Sequence, residues 1–160
     1  MMSESKDAAE VRIFPPAIPL VTVLLGTALN YLISLGARFT PVTHARYWVG
    51  ALLVVGSILG LGWRSVRLVR GSGQSENPWK PTTEIIEHGP FRISRNPMYL
   101  QMVLVCVGLS IILWNVWILL LTPLCAWLLQ RWVIAPEEAY LERKFGDSYL
   151  AYKRRVRRWI

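Results

Sequence analysis

The sequence predicts an all-α fold: an integral membrane helical bundle of four spans that contains a helical hairpin and carries a cytoplasmic C-terminal helical cap. Three observations lead there. Apolar residues make up 53% of the 160-residue chain, and they gather into long runs instead of spreading at the spacing of a soluble core. Lys and Arg flank those runs and give a formal charge of +8. Only Trp114 and Asn115 separate the last two runs, a connection so short that it forces an antiparallel pair.

In a soluble protein that charge would suggest nucleic acid. Beside apolar runs it suits anionic lipid headgroups, so membrane lipids are the expected partners and nucleic acid is not. A chain of this length allows one domain, residues 1–160. Cys106 and Cys125 both fall inside apolar runs, so no disulfide framework and no metal site is expected.

Residues 1–16 form a tail, polar and mixed in charge at its start, without a signal peptide's basic beginning or cleavage site. The first apolar run is therefore expected to stay as a span. Residues 17–36, with Asn30 the main polar exception, are that span. Residues 38–46, holding Pro41 and His44, read as a short loop, followed by Tyr47 and Trp48 at an interfacial position. The second span covers about 47–68, and its Gly56 and Gly60, spaced small-xxx-small, are expected to mark close helix packing.

Arg64, Arg67 and Arg70 leave that helix on one face, the pattern of side chains snorkelling to lipid phosphates. Residues 71–81 are a Gly-, Ser- and Pro-rich linker without the strand and helix context of a dinucleotide loop. Residues 69–97 together are the expected cytoplasmic loop. At its end the run HGPFRISRNPMYL, residues 88–100, switches from basic and turn-rich to apolar. Asn96 is expected to cap the next helix by accepting from its free amides, with Pro97 at the first helical position. Residues 98–135 form the hairpin, its first arm short for a full crossing. Beyond Pro136, residues 137–145 read as a polar helix stopped by Gly146. Residues 147–160 read as a second helix, basic and aromatic, lying on anionic lipid, and 136–160 thus make the cap.

The distribution of Lys and Arg sets the orientation. Six fall between Arg64 and Arg95 and eight from Arg131 onward, against two in the loop between the first spans. The positive-inside rule then places both termini and the central loop in the cytoplasm, with the bacterial inner membrane as the expected location. No Ser/His/Asp set, Cys–His pair or phosphate loop can be assembled. Two polar groups remain, Arg92, Arg95, Asn96 and Tyr99 before the hairpin and Arg131, Glu137 and Glu138 after it, and the hairpin brings them together.

The run GPFRISRNPMY at 89–99, followed by Glu137 and Glu138 and then FGDSYLAYKRRV at 145–156, resembles the isoprenylcysteine carboxyl methyltransferase family and its relatives among phospholipid N-methyltransferases. The resemblance covers about half of the chain and implies S-adenosylmethionine as cofactor. Carried over residue by residue, it implies cofactor contacts at Ile85, Ile86, Phe91, Asn96, Pro97, Met98, Tyr99 and Glu137. Asn96 stands where the family has His. Val133 stands where the family has its substrate-binding Arg, and Arg131 is the nearest cation. Glu137 and Arg131 are thus the candidate catalytic residues.

The implied activity is methyl transfer to a lipophilic acceptor, a small molecule or a lipidated substrate, through a carboxylate or an amine. Two other classes remain open: an NADPH-dependent membrane reductase like the sterol reductases, with Arg92 and Lys80 as the candidate cations for a 2′-phosphate, and a non-catalytic protein binding anionic lipid through its basic tail.

Overall fold

The computed structural model describes residues 7–33 and 44–160, so the expectations for residues 1–6 and for most of the 38–46 loop lie outside the described residues. Among the described residues every regular element is helical. α1 is Ala17–Leu32, α2 is Ala45–Gly71, α3 is Pro97–Ile112, α4 is Val116–Phe145 and α5 is Asp147–Arg155. A short 3-10 turn, Gly89–Arg92, stands before α3.

α2 and α4 are long and apolar enough to cross a membrane. At 27 and 30 residues they extend about 40 and 45 Å, more than the roughly 30 Å of a hydrocarbon core. α1 and α3 are apolar but shorter, 16 residues each. The outer surfaces match this reading, with Leu52, Trp48, Leu120 and Trp127 among many large apolar side chains turned outward. In water such a continuous apolar surface would aggregate, and in lipid it is solvated.

α4 departs from expectation. Its apolar and polar parts form one helix instead of a span followed by a separate cap helix, despite Pro136. Proline has no N–H for the carbonyl of residue 132. Here the π-helical turn Gln130–Ile134 absorbs the mismatch, and the Trp132 carbonyl accepts instead from the Arg12 amide at 3.4 Å. α5 is also shorter than the sequence suggested. It ends at Arg155, and Val156 turns to an extended backbone, so the last residues form a strap instead of more helix.

α2 packs chiefly against α3 and α1 against α4, and the α3–α4 hairpin joins the two pairs. Asn115 fixes the turn: its Oδ1 accepts from the Ile118 amide, and its Nδ2 reaches the Gly26 carbonyl at 3.1 Å. Ile18, Cys106, Ile118, Cys125, Leu129 and Val133 fill the centre.

The close helix approach is not at Gly56 and Gly60, around which a Cβ would find open space. It is at Gly50 and Gly108, which face each other across α2 and α3. A Cβ on Gly50 would stand 2.8 Å from the Gly108 carbonyl, and one on Gly108 would stand 2.9 Å from the Gly50 carbonyl. The small-xxx-small spacing at Gly56 and Gly60 thus does not mark the packed face, because neither glycine meets a neighbouring helix. Gly50→Leu should therefore destabilise the protein by about 1–3 kcal/mol through overpacking. Gly56→Leu, and Gly60→Leu with it, should leave the apparent melting temperature in detergent unchanged or raise it.

Candidate active site

The start of α3 is held by partners distant in sequence. Pro97 opens the helix and is fully buried. Asn96 does not cap through its side chain, contrary to the local reading. Its Nδ2 donates to the Arg158 carbonyl at 3.1 Å and to Glu138 Oε1 at 3.4 Å, because a buried carboxylate is a stronger acceptor for an amide than the helix is a donor to it. Ser94 bridges the same gap. Its hydroxyl donates to the Arg158 carbonyl and accepts from the Asn96 amide.

Glu138 is 3% exposed and lies between two guanidiniums. Arg95 donates to one oxygen from Nε and Nη2 at 3.1 and 2.9 Å, and Arg158 donates to the other at 3.1 and 2.6 Å. Burial pushes this carboxyl's pKa up, but the hydrogen bonds from Arg158 and Arg95 together outweigh it and hold the group below its ordinary value. Arg95 spends its remaining donor on the Lys153 and Val156 carbonyls, and its amide binds the Arg157 carbonyl. The C-terminal strap is thereby fastened to the start of α3.

Glu137 turns a different way, since successive helix residues differ by about 100°. Among the described residues no guanidinium pairs with it. Its Oε2 accepts from the Tyr99 hydroxyl at 2.8 Å. Burial raises its pKa to about 7; the Tyr99 hydrogen bond opposes the shift and the neighbouring Glu138 charge adds to it. Two adjacent carboxyls of one chemical type are thus set apart by environment.

Glu137 lines a pocket of about 780 Å³, open mouth included. Ile85, Ile86, Phe91, Asn96 and Met98 line it too, so six of the eight expected contact residues meet there. Tyr99 joins through its hydrogen bond to Glu137, while Pro97 lies buried at the helix start. Arg131 is exposed and does not line this pocket.

Other walls were not foreseen. Gln74 to Pro78 of the linker, Ala9 of the N-terminal segment, and Tyr140, Tyr149 and Tyr152 complete the pocket. Gln74 ties the linker back on itself, donating to the Glu84 carbonyl and accepting from the Thr83 amide. The N-terminal segment is clipped by Asp7 to Lys144 at 2.6 Å and by the Val11 carbonyl to Trp79 Nε1 at 2.9 Å. The sequence held one signal for this wall, the apolar residues Val11, Ile13 and Phe14 ahead of the first span.

The apolar side chains of Ile85 and Ile86 and the ring of Phe91, with a carboxylate among the lining residues, suit a ligand carrying both a planar ring and an ammonium. A second cavity of about 1110 Å³, open mouth included, meets this pocket at Glu76, Asn77, Pro78 and Met98. It runs past Tyr99, Met102 and Val66 to the exposed rings of Phe14, Trp63 and Trp79. Its walls include Ile58 and Trp63, which begin and end the π-helical segment Ile58–Trp63 of α2.

A protein of Haemophilus influenzae described as uncharacterized is 40% identical over 71 residues, which is 39% of this chain and 100% of that protein. No solved structure matches. The family described as phospholipid methyltransferase matches residues 45–148, a stretch that takes in α2, the linker, the hairpin and both Glu137 and Glu138. The chain is a membrane protein of the phospholipid methyltransferase family.

Proposed function

We propose that this protein is an S-adenosylmethionine-dependent methyltransferase acting on a lipophilic acceptor, with the Glu137 pocket as its cofactor site and the adjoining apolar cavity as its acceptor site. The observation that carries the reading is the meeting of the two cavities at Met98, beside the Tyr99–Glu137 pair. One space is polar at its carboxylate and fits a soluble zwitterion, while the other is apolar and opens between exposed aromatic rings, as a lipid tail would need.

When bound, the cofactor supplies a methyl group on a sulfonium, whose C–S bond breaks as the new C–O or C–N bond forms and whose positive charge disappears in the transfer. Alignment and exclusion of water are then the main tasks left to the protein. Glu137 would accept from the ligand's ammonium, with the Tyr99 hydroxyl holding its carboxylate in place. Ile85, Ile86 and Phe91 would enclose the ring. Asn96 and Pro97 fix where α3 begins and so where Met98 and Tyr99 stand. An acceptor carboxylate needs no base, whereas an amine must lose a proton before it attacks. Arg131 would meet an acceptor only outside this pocket.

We further assign four crossings, with the short α1 and α3 locally thinning the bilayer. The cofactor loop, the polar end of α4, α5 and both termini lie on the cytoplasmic face of the inner membrane. A phospholipid amine or a prenylated carboxylate both suit the acceptor cavity. The NADPH reading has less support, because neither Arg92 nor Lys80 lines the pocket.

Calorimetry with S-adenosylhomocysteine on detergent-purified protein tests this. Binding is expected in the wild type, weakened roughly 10- to 100-fold in Glu137→Gln by the loss of one charged hydrogen bond. Absence of binding by folded wild-type protein overturns the reading. Affinity should fall as pH drops below about 7, where Glu137 takes up a proton. The sign for stability is opposite: with its pKa raised on folding, Glu137 favours the folded state at low pH and loses that contribution as pH rises through about 7. Glu137→Gln should accordingly hold or raise the melting temperature above pH 7.

Glu138→Gln should behave differently. It leaves Arg95, with a largely buried side chain, and Arg158 without their carboxylate, a loss of about 3 kcal/mol. For a chain of this size that is a fall of about 6–12 °C in apparent melting temperature.

A further inference from the structure

We propose that the polar end of α2 and the turn before α3 form a second lipid site, one that holds the phosphate of an anionic phospholipid away from the methyl-transfer pocket. Two adjoining cavities share Arg64, Gly89 and Pro90. Arg67 and His88 line one, and Arg92 lines the other. Three guanidiniums and an imidazole therefore surround a single turn. Neither cavity shares a lining residue with the Glu137 pocket or with the acceptor cavity beside it, so the lipid held here is not the methyl acceptor.

The charge balance supports an anion. Among the described residues Arg64, Arg67 and Arg92 have no carboxylate partner; Arg131, Arg143, Arg154 and Arg157 lack one too, and what sets the first three apart is that they gather around two adjoining cavities. The acidic group next to the turn, Glu87, is already held by Arg155 at 2.5 Å. Guanidiniums present paired donors that match phosphate oxygens, so a phosphate at this turn would be bound through several charged hydrogen bonds.

The surroundings select a lipid over free phosphate. The Arg67 guanidinium lies over the Trp63 ring, 5.2 Å from its centroid, and that ring is 54% exposed, as an interfacial anchor is. On the other side Leu61 lines the cavity and Ile93 is 58% exposed, while the space above Gly60 is open, which gives an acyl chain a path down the α2 surface. Gly89 makes the pocket possible. Its φ of +61° is one a side chain rarely adopts, and a Cβ there would stand 2.7 Å from Leu68 Cδ1, so the turn sits directly against α2. Because Phe91 lines the methyl-transfer pocket and Arg92 follows it, a lipid bound here would brace one wall of that pocket from behind.

The test is native mass spectrometry of purified protein in mixed micelles containing equal phosphatidylglycerol and phosphatidylcholine. The wild type is expected to retain phosphatidylglycerol preferentially. The triple variant Arg64→Gln, Arg67→Gln, Arg92→Gln should lose at least roughly tenfold of that preference. The charge-matched control Arg143→Gln, Arg154→Gln, Arg157→Gln should keep it, and Arg92→Gln alone should show a partial loss. An equal loss in the control would mean general charge attraction and would overturn the site, as would no preference in the wild type. Displacement of the lipid by millimolar inorganic phosphate would reassign the cavity to free phosphate. All readouts are of lipid retention, so the result stands apart from whether the Glu137 pocket binds S-adenosylhomocysteine.

Discussion

The arrangement depends on one buried carboxylate. Glu138 binds Arg95 from the start of α3 and Arg158 from the C-terminal strap, and so ties the polar end of α4 to two pieces of chain that also bond each other through the strap's carbonyls. A buried charge is tolerable only when nearly all its lone pairs are used, and here five donors from Arg95, Arg158 and Asn96 converge on two oxygens. With this neighbour saturated, Glu137 is left with a phenol as its partner and faces the pocket. The division of labour between the two carboxyls follows from which one the arginines reach.

The second constraint is Pro136. A proline within a long helix strands the carbonyl four residues before it, and in a membrane protein a stranded carbonyl needs a partner. The Arg12 amide supplies one, which draws the N-terminal segment across the bundle and brings Ala9 to the pocket. The backbone defect that lets α4 continue from apolar to polar is therefore also what positions a wall of the site.

The legible parts of the sequence were those set by local chemistry. The break from basic loop to apolar helix at Asn96 and Pro97 and the tight hairpin at Trp114 and Asn115 are each decided within a few residues. The meeting of Tyr99 with Glu137 followed from the hairpin. What local chemistry could not decide was competition. Asn96 had a good claim to cap α3, but Glu138, 42 residues later, had a stronger one. Gly56 and Gly60 had the right spacing, yet only the packed partner selects which face of a helix is crowded, and it selected Gly50. The linker and N-terminal walls were hidden for the same reason, because their hydrogen bonds run to partners as far as 137 residues away.

The strap at Val156 to Trp159 has a consequence for the order in which the protein is made. The hairpin of α3 and α4, and the α1 and α2 surfaces on which it packs, are all made before the strap. Arg158, which closes around Glu138 and Asn96, emerges 43 residues after Asn115 of the hairpin's turn. Insertion thus precedes assembly of the pocket, and a nascent chain already settled in lipid has no finished site with which to capture a soluble ligand.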